Sequence, residues 1–345
     1  VDSPPPSSDD PGTPGSPRLS IVTVNWNGGG EAVRNLTTLL ALASRRDDLE
    51  IVVVDNGSID GSLDELAKLE GTGSLRILRS GANLGFGPAC NRGVAEARAP
   101  LVLLLNPDAV PFPDDDPFAP LLAAADASPA VAAFAPMLGD AEAPGRREAQ
   151  GSFQLRRLPS LGSIAREMLL LDRLFPRSAA RQRERYLDVD RTKPFDVEQP
   201  AAAALLLRRG TFLRLGGFDP RFVPAWWEDV DLCWRLRAAG ESIRTVPESR
   251  FLHRGGSSIG EEEGRLGERE YRRIYGRNLL RFGNKHWGFF ATVALRVLLL
   301  AAGSLRLLLA LAGARGDRPR ATTIDAALGT IRSAAARIGE NRARS

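Results

Sequence analysis

The chain reads as an α/β protein: a mostly parallel, Rossmann-like sheet flanked by helices, with a helical C-terminal extension. Three observations predict this. Apolar runs without polar alternation recur in LSIVTVNWN, EIVVVDNGS, LRILRS and LVLLLNPDA, the pattern of strands buried on both faces. Helical stretches separate these runs, as parallel strands require. A length of 345 residues, 43% hydrophobic and 26% charged, supports a sizeable core and excludes wholesale disorder, collagen-like repeats and a polytopic membrane protein.

In chain order, residues 1–17 hold six prolines and almost nothing apolar, so a disordered tail is expected. This tail lacks a basic start followed by an apolar run, which argues against a signal peptide. The first strand, Leu19 to Asn27, leads through a glycine turn into a helix from Glu31 to about Ser44. The second and third strands follow, the third being Leu75 to Ser80, then a Gly-rich turn and a helix near Pro88 to Arg98. LVLLLNPDA is the fourth strand, and residues 112–138 hold a helix and a further strand, AVAAFAPML. Residues 139–198 mix Arg-rich pieces with one amphipathic run, Ser163 to Phe175, and suit a variable, acceptor-side insertion. Order returns at PAAAALLLRRGTFLRLGGFD and continues into WWEDVDLCWRLRAAG, a helix with its own acidic start. The predicted organisation is a tail over 1–17, an α/β domain over 18–255 and a helical region over 256–345.

The net charge of +4 conceals an asymmetry, because residues 1–140 carry 9 Lys/Arg against 19 Asp/Glu while the last 70 carry 12 against 3. A basic end points to an anionic partner. Few aromatics and no zinc-finger or RNA-binding signature stand near it, so a membrane surface is favoured and no nucleic acid is expected. Two cysteines are too few for a disulfide framework or a four-cysteine zinc site, and a reduced, cytosolic location follows.

Ligands of such sheets bind at the carboxyl ends of the strands. Those ends read Asn25-Trp26-Asn27, Asp55-Asn56-Gly57-Ser58, Asn83-Leu84-Gly85-Phe86-Gly87 and Asn106-Pro107-Asp108. Asp55 can accept hydrogen bonds from a base or ribose, or serve as a helix cap. NLGFGPACNRG brings backbone donors to a helix start, where phosphate binds, but lacks the third glycine of a dinucleotide fingerprint and also fits a plain tight turn. Asn106-Pro107-Asp108 offers oxygen to a hard cation, or ends a strand in a turn. Glu228, Asp229 and Asp231 open a helix whose dipole they complement. Trp226 and Trp227 beside them make an indole platform for a sugar ring whose hydroxyl a carboxylate deprotonates. His253, in FLHRGGSS, is either a metal or phosphate contact or a structural histidine.

Together these motifs resemble the inverting nucleotide-sugar glycosyltransferases of family two, which have the GT-A fold, and most closely their rhamnosyltransferase-like branch, which acts on lipid-linked or cell-envelope glycans. The likeness runs from about Leu19 to Trp287, with VNWNG, VVVDNGSIDGS, NLGFGPACNRG, NPDA, GGFDPRF, WEDVDLCWRLRAAG and HRGGSS in the family's order. It implies that Asn25 and Asp55 bind the nucleobase, and that Asn83 and Asn91 line the nucleotide-sugar pocket. Asn106-Pro107-Asp108 stands at the family's Asp-X-Asp motif, so Asn106 belongs to the donor site and Asp108 binds Mg2+ or Mn2+, with His253 a second metal or phosphate contact. Asp229 matches the catalytic base, Glu228 being its neighbour in the motif. Tyr271, Tyr275 and Asn278 match a downstream signature. Four alanines follow Pro200 where the family often has a Ser-Gly-Ala step. A Gln-X-X-Arg-Trp signature is missing after the acidic block, which favours a single transfer over polymerisation.

The implied reaction is direct displacement of a nucleoside diphosphate by an acceptor hydroxyl, a polyprenyl-linked or glycan acceptor taking one rhamnose or related hexose. Rival readings are a nucleotidyltransferase or dehydrogenase on the same half-fold, and a non-catalytic sugar-nucleotide or glycan-binding scaffold. At the C-terminus, Phe289 to Ala314 is largely apolar, with Thr292, Arg296, Gly303 and Arg306 in one sector of about 80°. That stripe predicts a helix lying in the headgroup plane, flanked by Arg281, Lys285, Arg315, Arg318 and Arg320, and a peripheral enzyme on the cytoplasmic face of the plasma membrane. The competing reading is a helix pair with Ile324 to Ile338.

Overall fold

The computed structural model describes residues 16–71, 75–112, 115–140, 154–253, 266–313 and 319–338. Most of the expected tail, the stretch 141–153, the turn following His253, Arg315 and Arg318 lie outside the described residues.

The first half alternates strand and helix: β1 (Leu19–Asn25), α1 (Gly29–Ala43), β2 (Leu49–Asp55), α2 (Ser62–Ala67), β3 (Leu75–Arg79), α3 (Phe86–Glu96) and β4 (Leu101–Leu105). Next come β5 (Ala109–Pro111), α4 (Phe118–Ala127) and β6 (Ala133–Asp140). The insertion supplies β7 (Leu155–Arg156), α5 (Leu161–Met168), α6 (Leu171–Leu174), α7 (Ala179–Glu184) and β8 (Gln199–Pro200). The chain then forms β9 (Ala204–Arg208), α8 (Arg209–Arg214), α9 (Glu228–Ala238) and β10 (Ile243–His253). Three helices follow: α10 (Glu268–His286), α11 (Gly288–Leu311) and α12 (Arg320–Ala334).

Eight strands form one sheet in the order β3-β2-β1-β4-β9-β6-β10-β5. β3, β2, β1 and β4 run parallel, as do β6 and β10. β9 enters antiparallel between β4 and β6, and β5 pairs antiparallel with β10. The central strands bury every residue, which is why their sequences do not alternate. One sheet face packs Leu36, Leu39 and Phe118 from α1 and α4, and the other packs Val94 from α3 and Leu232 and Leu236 from α9.

A third cluster joins the C-terminal helices to the chain before α9. Phe222 and Trp227 pack with Leu279, Leu280 and Phe282 of α10 and Leu295 and Leu299 of α11. In this packing the polar stripe expected on a headgroup-plane helix faces protein instead. Thr292 and Gly303 of the polar stripe are buried, and Arg296 donates to the carbonyls of Ala334, the last residue of α12, and Ala336 just after it. The stripe faces protein because carbonyls left free at a helix end need donors, and an arginine supplies several. The apolar side faces out instead, with Phe290 at 86%, Val297 at 62% and Leu308 at 65% exposure. Two of the flanking cations are also internal. Arg281 donates to the carbonyl of Arg221 and Lys285 pairs with Asp219 and Asp231.

Candidate active site

Four strand ends converge at one edge of the sheet, and side-chain amides tie them together. Asn25, at the end of β1, sits opposite Asp55 of β2 in parallel register, so its Nδ2 donates to Asp55 Oδ1 at 2.9 Å. Ser58 and Ser62 accept from the same amide, each at 3.0 Å. Asp55 is fully buried and accepts the backbone N–H groups of Gly57 and Ser58, a local turn an Asp side chain favours. Gly57 has φ +79, and a Cβ there would stand 2.7 Å from the backbone of Ala82. The strand-end turn therefore packs against the turn bearing Asn83, which requires glycine.

Asn56 holds that second turn. Its Nδ2 donates to Asn83 Oδ1 at 3.0 Å and its Oδ1 accepts from Leu84 N–H at 2.9 Å. Asn83 Oδ1 also accepts from Gly85 N–H. Gly85 has φ +92, and the next amide, Phe86 N–H, donates to the Pro224 carbonyl at 2.6 Å. Asn91, one turn into α3, exchanges two hydrogen bonds with the backbone of Phe218 at 2.7 Å each. Its amide is thus committed to the loop preceding α9. Asn106 turns inward, where its Oδ1 joins Thr23 Oγ1 and Asn25 Oδ1 around a cavity of about 20 Å3, room for a single water.

Asp108 lies just before β5. The antiparallel register sets His253 opposite Ala109, which brings His253 Nε2 to 3.4 Å from Asp108 Oδ1. Among the described residues no set of three His, Cys, Asp or Glu side chains gathers around one point. One carboxylate and one imidazole fit a divalent cation that completes its shell with diphosphate oxygens and water.

α9 opens with Glu228 and Asp229, and the two carboxylates face different surroundings. Glu228 is buried, with Oε2 unbonded. Burial first, and then the adjacent Asp229, pushes its carboxyl well above the ordinary value, which favours its neutral form. Asp229 is partly open to solvent. The surrounding protein raises its carboxyl too, while the Val230 and Ala202 N–H groups and the charge of Arg156 favour the ionised form. Ala202 contributes a backbone donor, so the alanine run supplies Asp229 without a hydroxyl side chain.

The loop before α9 is held by α10. Asn278, fully buried, donates to the carbonyls of Ala225 at 2.9 Å and Trp226 at 3.1 Å. Arg277 donates to the Val223 carbonyl and Arg281 to that of Arg221. Trp226 and Trp227 both have positive φ, 72 and 77, a strained backbone that needs such external support. Trp227 is buried against Tyr275 and Phe282. Trp226 stacks edge-on with Tyr271 at 4.7 Å and remains half-open. The expected two-indole platform is therefore one accessible ring on a buried one.

Sequence reasoning gave no role of their own to Asn56, Arg277 and His286, and set Arg281 at a membrane surface rather than on the loop before α9. His286 Nε2 lies 2.8 Å from Asp231 Oδ1, and Lys285 and Arg235 bind the same fully buried carboxylate at 2.6 and 2.8 Å. Burial acts to raise Asp231, yet the His286 hydrogen bond and the two cations hold it below the ordinary value. A histidine and a lysine in the last turn of α10 and a second Asp after the Glu-Asp pair were the available signals.

The sheet order, with amide-lined strand ends facing a carboxylate at the start of α9, defines a glycosyltransferase of GT-A type. The family model described as "Glycosyl transferase family 2" matches residues 20–183. The N-acetylglucosaminyl-diphospho-decaprenol L-rhamnosyltransferase of Mycobacterium tuberculosis is 32% identical over 263 residues, covering 71% of this chain and 78% of its own. The chain belongs to glycosyl transferase family 2, in its rhamnosyltransferase-like branch. Among solved structures, a mannosyltransferase from Pyrobaculum calidifontis in complex with GDP-Man and Mn2+ superimposes with TM-score 0.53 at 17% identity, covering 92% of this chain and 86% of its own. GalNAc-T7 with UDP, GalNAc and Mn2+ gives 0.51 at 18% identity over 76% of this chain, which spans 47% of that protein's length. These two likenesses establish the fold.

Proposed function

We propose that this glycosyltransferase is metal-dependent and inverting, and that it moves one sugar, rhamnose or a related hexose, from a nucleoside-diphosphate sugar to a lipid-linked or cell-envelope glycan acceptor. The observation that carries the reading is the placement of Asp229. It combines a partly exposed carboxyl, a fixed backbone and a partly exposed indole, Trp226, at the acceptor side of the strand-end shelf. Asn25 and Asp55 shape the nucleobase end of that shelf, with Asn56 and Asn83 fixing the turn beside it.

Asp108 and His253 would hold Mg2+ or Mn2+ against the donor diphosphate, whose developing charge the cation neutralises when bound. Asp229 takes the proton of the acceptor hydroxyl, and that oxygen attacks the anomeric carbon from the face opposite the leaving group. Glu228 is buried, and its surroundings favour the neutral carboxyl over a second negative charge beside the base. The Mycobacterium relative is named for a diphospho-decaprenol acceptor, and lipid linkage of the acceptor is proposed here by that likeness.

A peripheral position on the cytoplasmic membrane face is supported by α11. It is long and apolar enough, by length and composition, to cross a membrane, but α10 and α12 cover one side, so only its outward apolar face is offered to lipid. Replacing Val297 or Leu308 by Glu tests this without uncovering the buried Leu295 and Leu299, and binding to vesicles should fall. Incubation with dTDP-, UDP- and GDP-sugars, reading released diphosphate with and without chelator, tests the reaction. Chelator-sensitive release dependent on acceptor supports it; release from none of these donors refutes it.

A further inference from the structure

We propose that a single water bridges Thr23, Asn25 and Asn106 beneath the donor edge, and that through it Thr23 is a positioning residue for the turn that carries Asp108. The consequence for the donor rests on the reading that Asp108 holds a metal against the diphosphate. The water itself does not depend on that reading.

Leu19, Ile21, Thr23 and Asn25 share one face of β1, because alternate residues of a strand point the same way. Leu19 and Ile21 join the apolar cluster beneath α1, and the cavity that Thr23 and Asn25 line is walled by Leu36 and Leu39 of α1, Val53 of β2 and Leu66 of α2. Valine has nearly the shape of threonine and would suit such walls, so the hydroxyl calls for a polar partner. Thr23 Oγ1 is buried and makes no hydrogen bond among the described residues, and the same holds for Asn25 Oδ1 and Asn106 Oδ1. The amide of Asn25 cannot turn round to offer a donor without giving up its bonds to Asp55, Ser58 and Ser62. Three buried oxygens thus border one cavity of about 20 Å3, and buried polar atoms are rarely left without a partner.

A water matches these atoms in number and in kind. It has two protons for the two amide oxygens, which only accept, and a lone pair for the Thr23 hydroxyl, which donates. Three partners also lie within the roughly two to four that a buried water takes. A monovalent cation would need more oxygens than these, and the carbonyl of Pro107, another lining residue, already accepts from Asn35 Nδ2 at 2.6 Å. The bridge joins two parts of the donor edge. Asn25 fixes Asp55, while Asn106 opens the turn that Ala109 N–H closes on its carbonyl at 3.0 Å, with Asp108 inside it. Asn106 N–H donates to the Ala203 carbonyl at 2.8 Å, so the backbone of this turn is anchored by protein and the Asn106 side chain by the water. Without the Thr23 hydroxyl the water keeps two acceptors and no donor, in a cavity otherwise walled largely by aliphatic groups.

The test joins high-resolution crystal structures of the full-length chain to calorimetric titration with dTDP, UDP and GDP, each with and without Mn2+, for wild type, Thr23→Val and Thr23→Ser. Wild type and Thr23→Ser should show one density peak within hydrogen-bond distance of all three oxygens, and Thr23→Val should lose it. Thr23→Val should also bind the preferred nucleoside diphosphate about fivefold more weakly in Mn2+, the size of one hydrogen bond's contribution. Binding without metal should be unchanged, because Asn25 keeps its hold on Asp55, and Thr23→Ser should restore the metal-supported affinity. A general loss of structure would weaken both arms and would not spare the metal-free one. No peak in wild type, or a peak ringed by more oxygens than these three as a cation requires, overturns the water. A peak that persists in Thr23→Val, or affinities equal in all three chains, overturns the role of Thr23. If no nucleoside diphosphate binds wild type in Mn2+, the metal reading of Asp108 fails and takes the role of Thr23 with it, while the density alone decides the water.

Discussion

The donor edge and the acceptor side of this molecule solve different problems. At the donor edge, Asn25, Asp55, Asn56 and Asn83 spend their hydrogen-bonding groups on one another and on nearby backbone, so the shelf is formed before any ligand arrives. On the acceptor side, the outer face of α11 is apolar and exposed. The first region is tied together by its own side chains, apart from the Thr23, Asn25 and Asn106 oxygens around the small cavity. Between them lies the loop that leads into α9, joined to the donor edge by Phe86 N–H on the Pro224 carbonyl and to α10 by Asn278.

The largest expected effect falls on the residue where the two regions meet. Asp229→Asn should lower turnover by roughly 10²–10⁴-fold, the range for loss of a general base, with donor affinity nearly intact. Steady-state kinetics beside calorimetric donor titration checks this, and near-normal turnover would move the base to Glu228 or Asp231. Next, Asp108→Ala should weaken donor binding by about tenfold, some 1.4 kcal/mol, and abolish any benefit of added Mg2+ or Mn2+. An unchanged metal dependence in the titration would remove Asp108 from that role.

The contrast between regions also explains what could be read from sequence. Continuous apolar strands ending in Asn, Asp and Gly signal their own ends, because both burial and turn chemistry are local. The stripe of Thr292, Arg296, Gly303 and Arg306 was equally visible, but periodicity gives a helix two faces without saying which one meets protein. That depended on α12, whose terminal carbonyls needed Arg296. The arginines of residues 154–198 carry no periodic signal, since partners such as Glu167, Asp172 and Glu184 lie on α5, α6 and α7 and are set by tertiary packing. Asn91 was legible as polar and close to the ligand crevice, yet its partner Phe218 is 127 residues distant.

A smaller effect probes how α10 supports the centre. Asn278→Ala leaves the carbonyls of Ala225 and Trp226 without their donor and should destabilise the fold by about 1–3 kcal/mol, read as a lower urea midpoint. Turnover should fall more than donor affinity, because the loop it releases carries Trp226 and leads into Asp229. Loss of donor affinity alone would assign Asn278 to the donor edge instead.

The smallest effect depends on pH. Glu228 has a raised carboxyl in the folded protein, so its proton stabilises the fold at low pH and that contribution is lost as pH rises through the folded value. Glu228→Gln, which keeps the neutral form, should therefore unfold at a higher temperature than wild type at pH 8 and at a similar temperature at pH 5. A lower melting temperature at pH 8 would mean that the ionised carboxylate is favoured by its surroundings. For Asp229 the sign differs in its consequence: as the base it works ionised, so kcat/KM should fall on acidification with a midpoint above the ordinary Asp value near 3.9.

The account turns on one displacement at the anomeric carbon, driven from the face that Asp229 serves. The anomeric configuration of the transferred sugar in the purified product, compared with that of the donor by NMR coupling constants, tests it directly. Inversion is the predicted result; a product with the donor's configuration would require a second nucleophile and would contradict the assignment of Asp229 as the base in a single displacement.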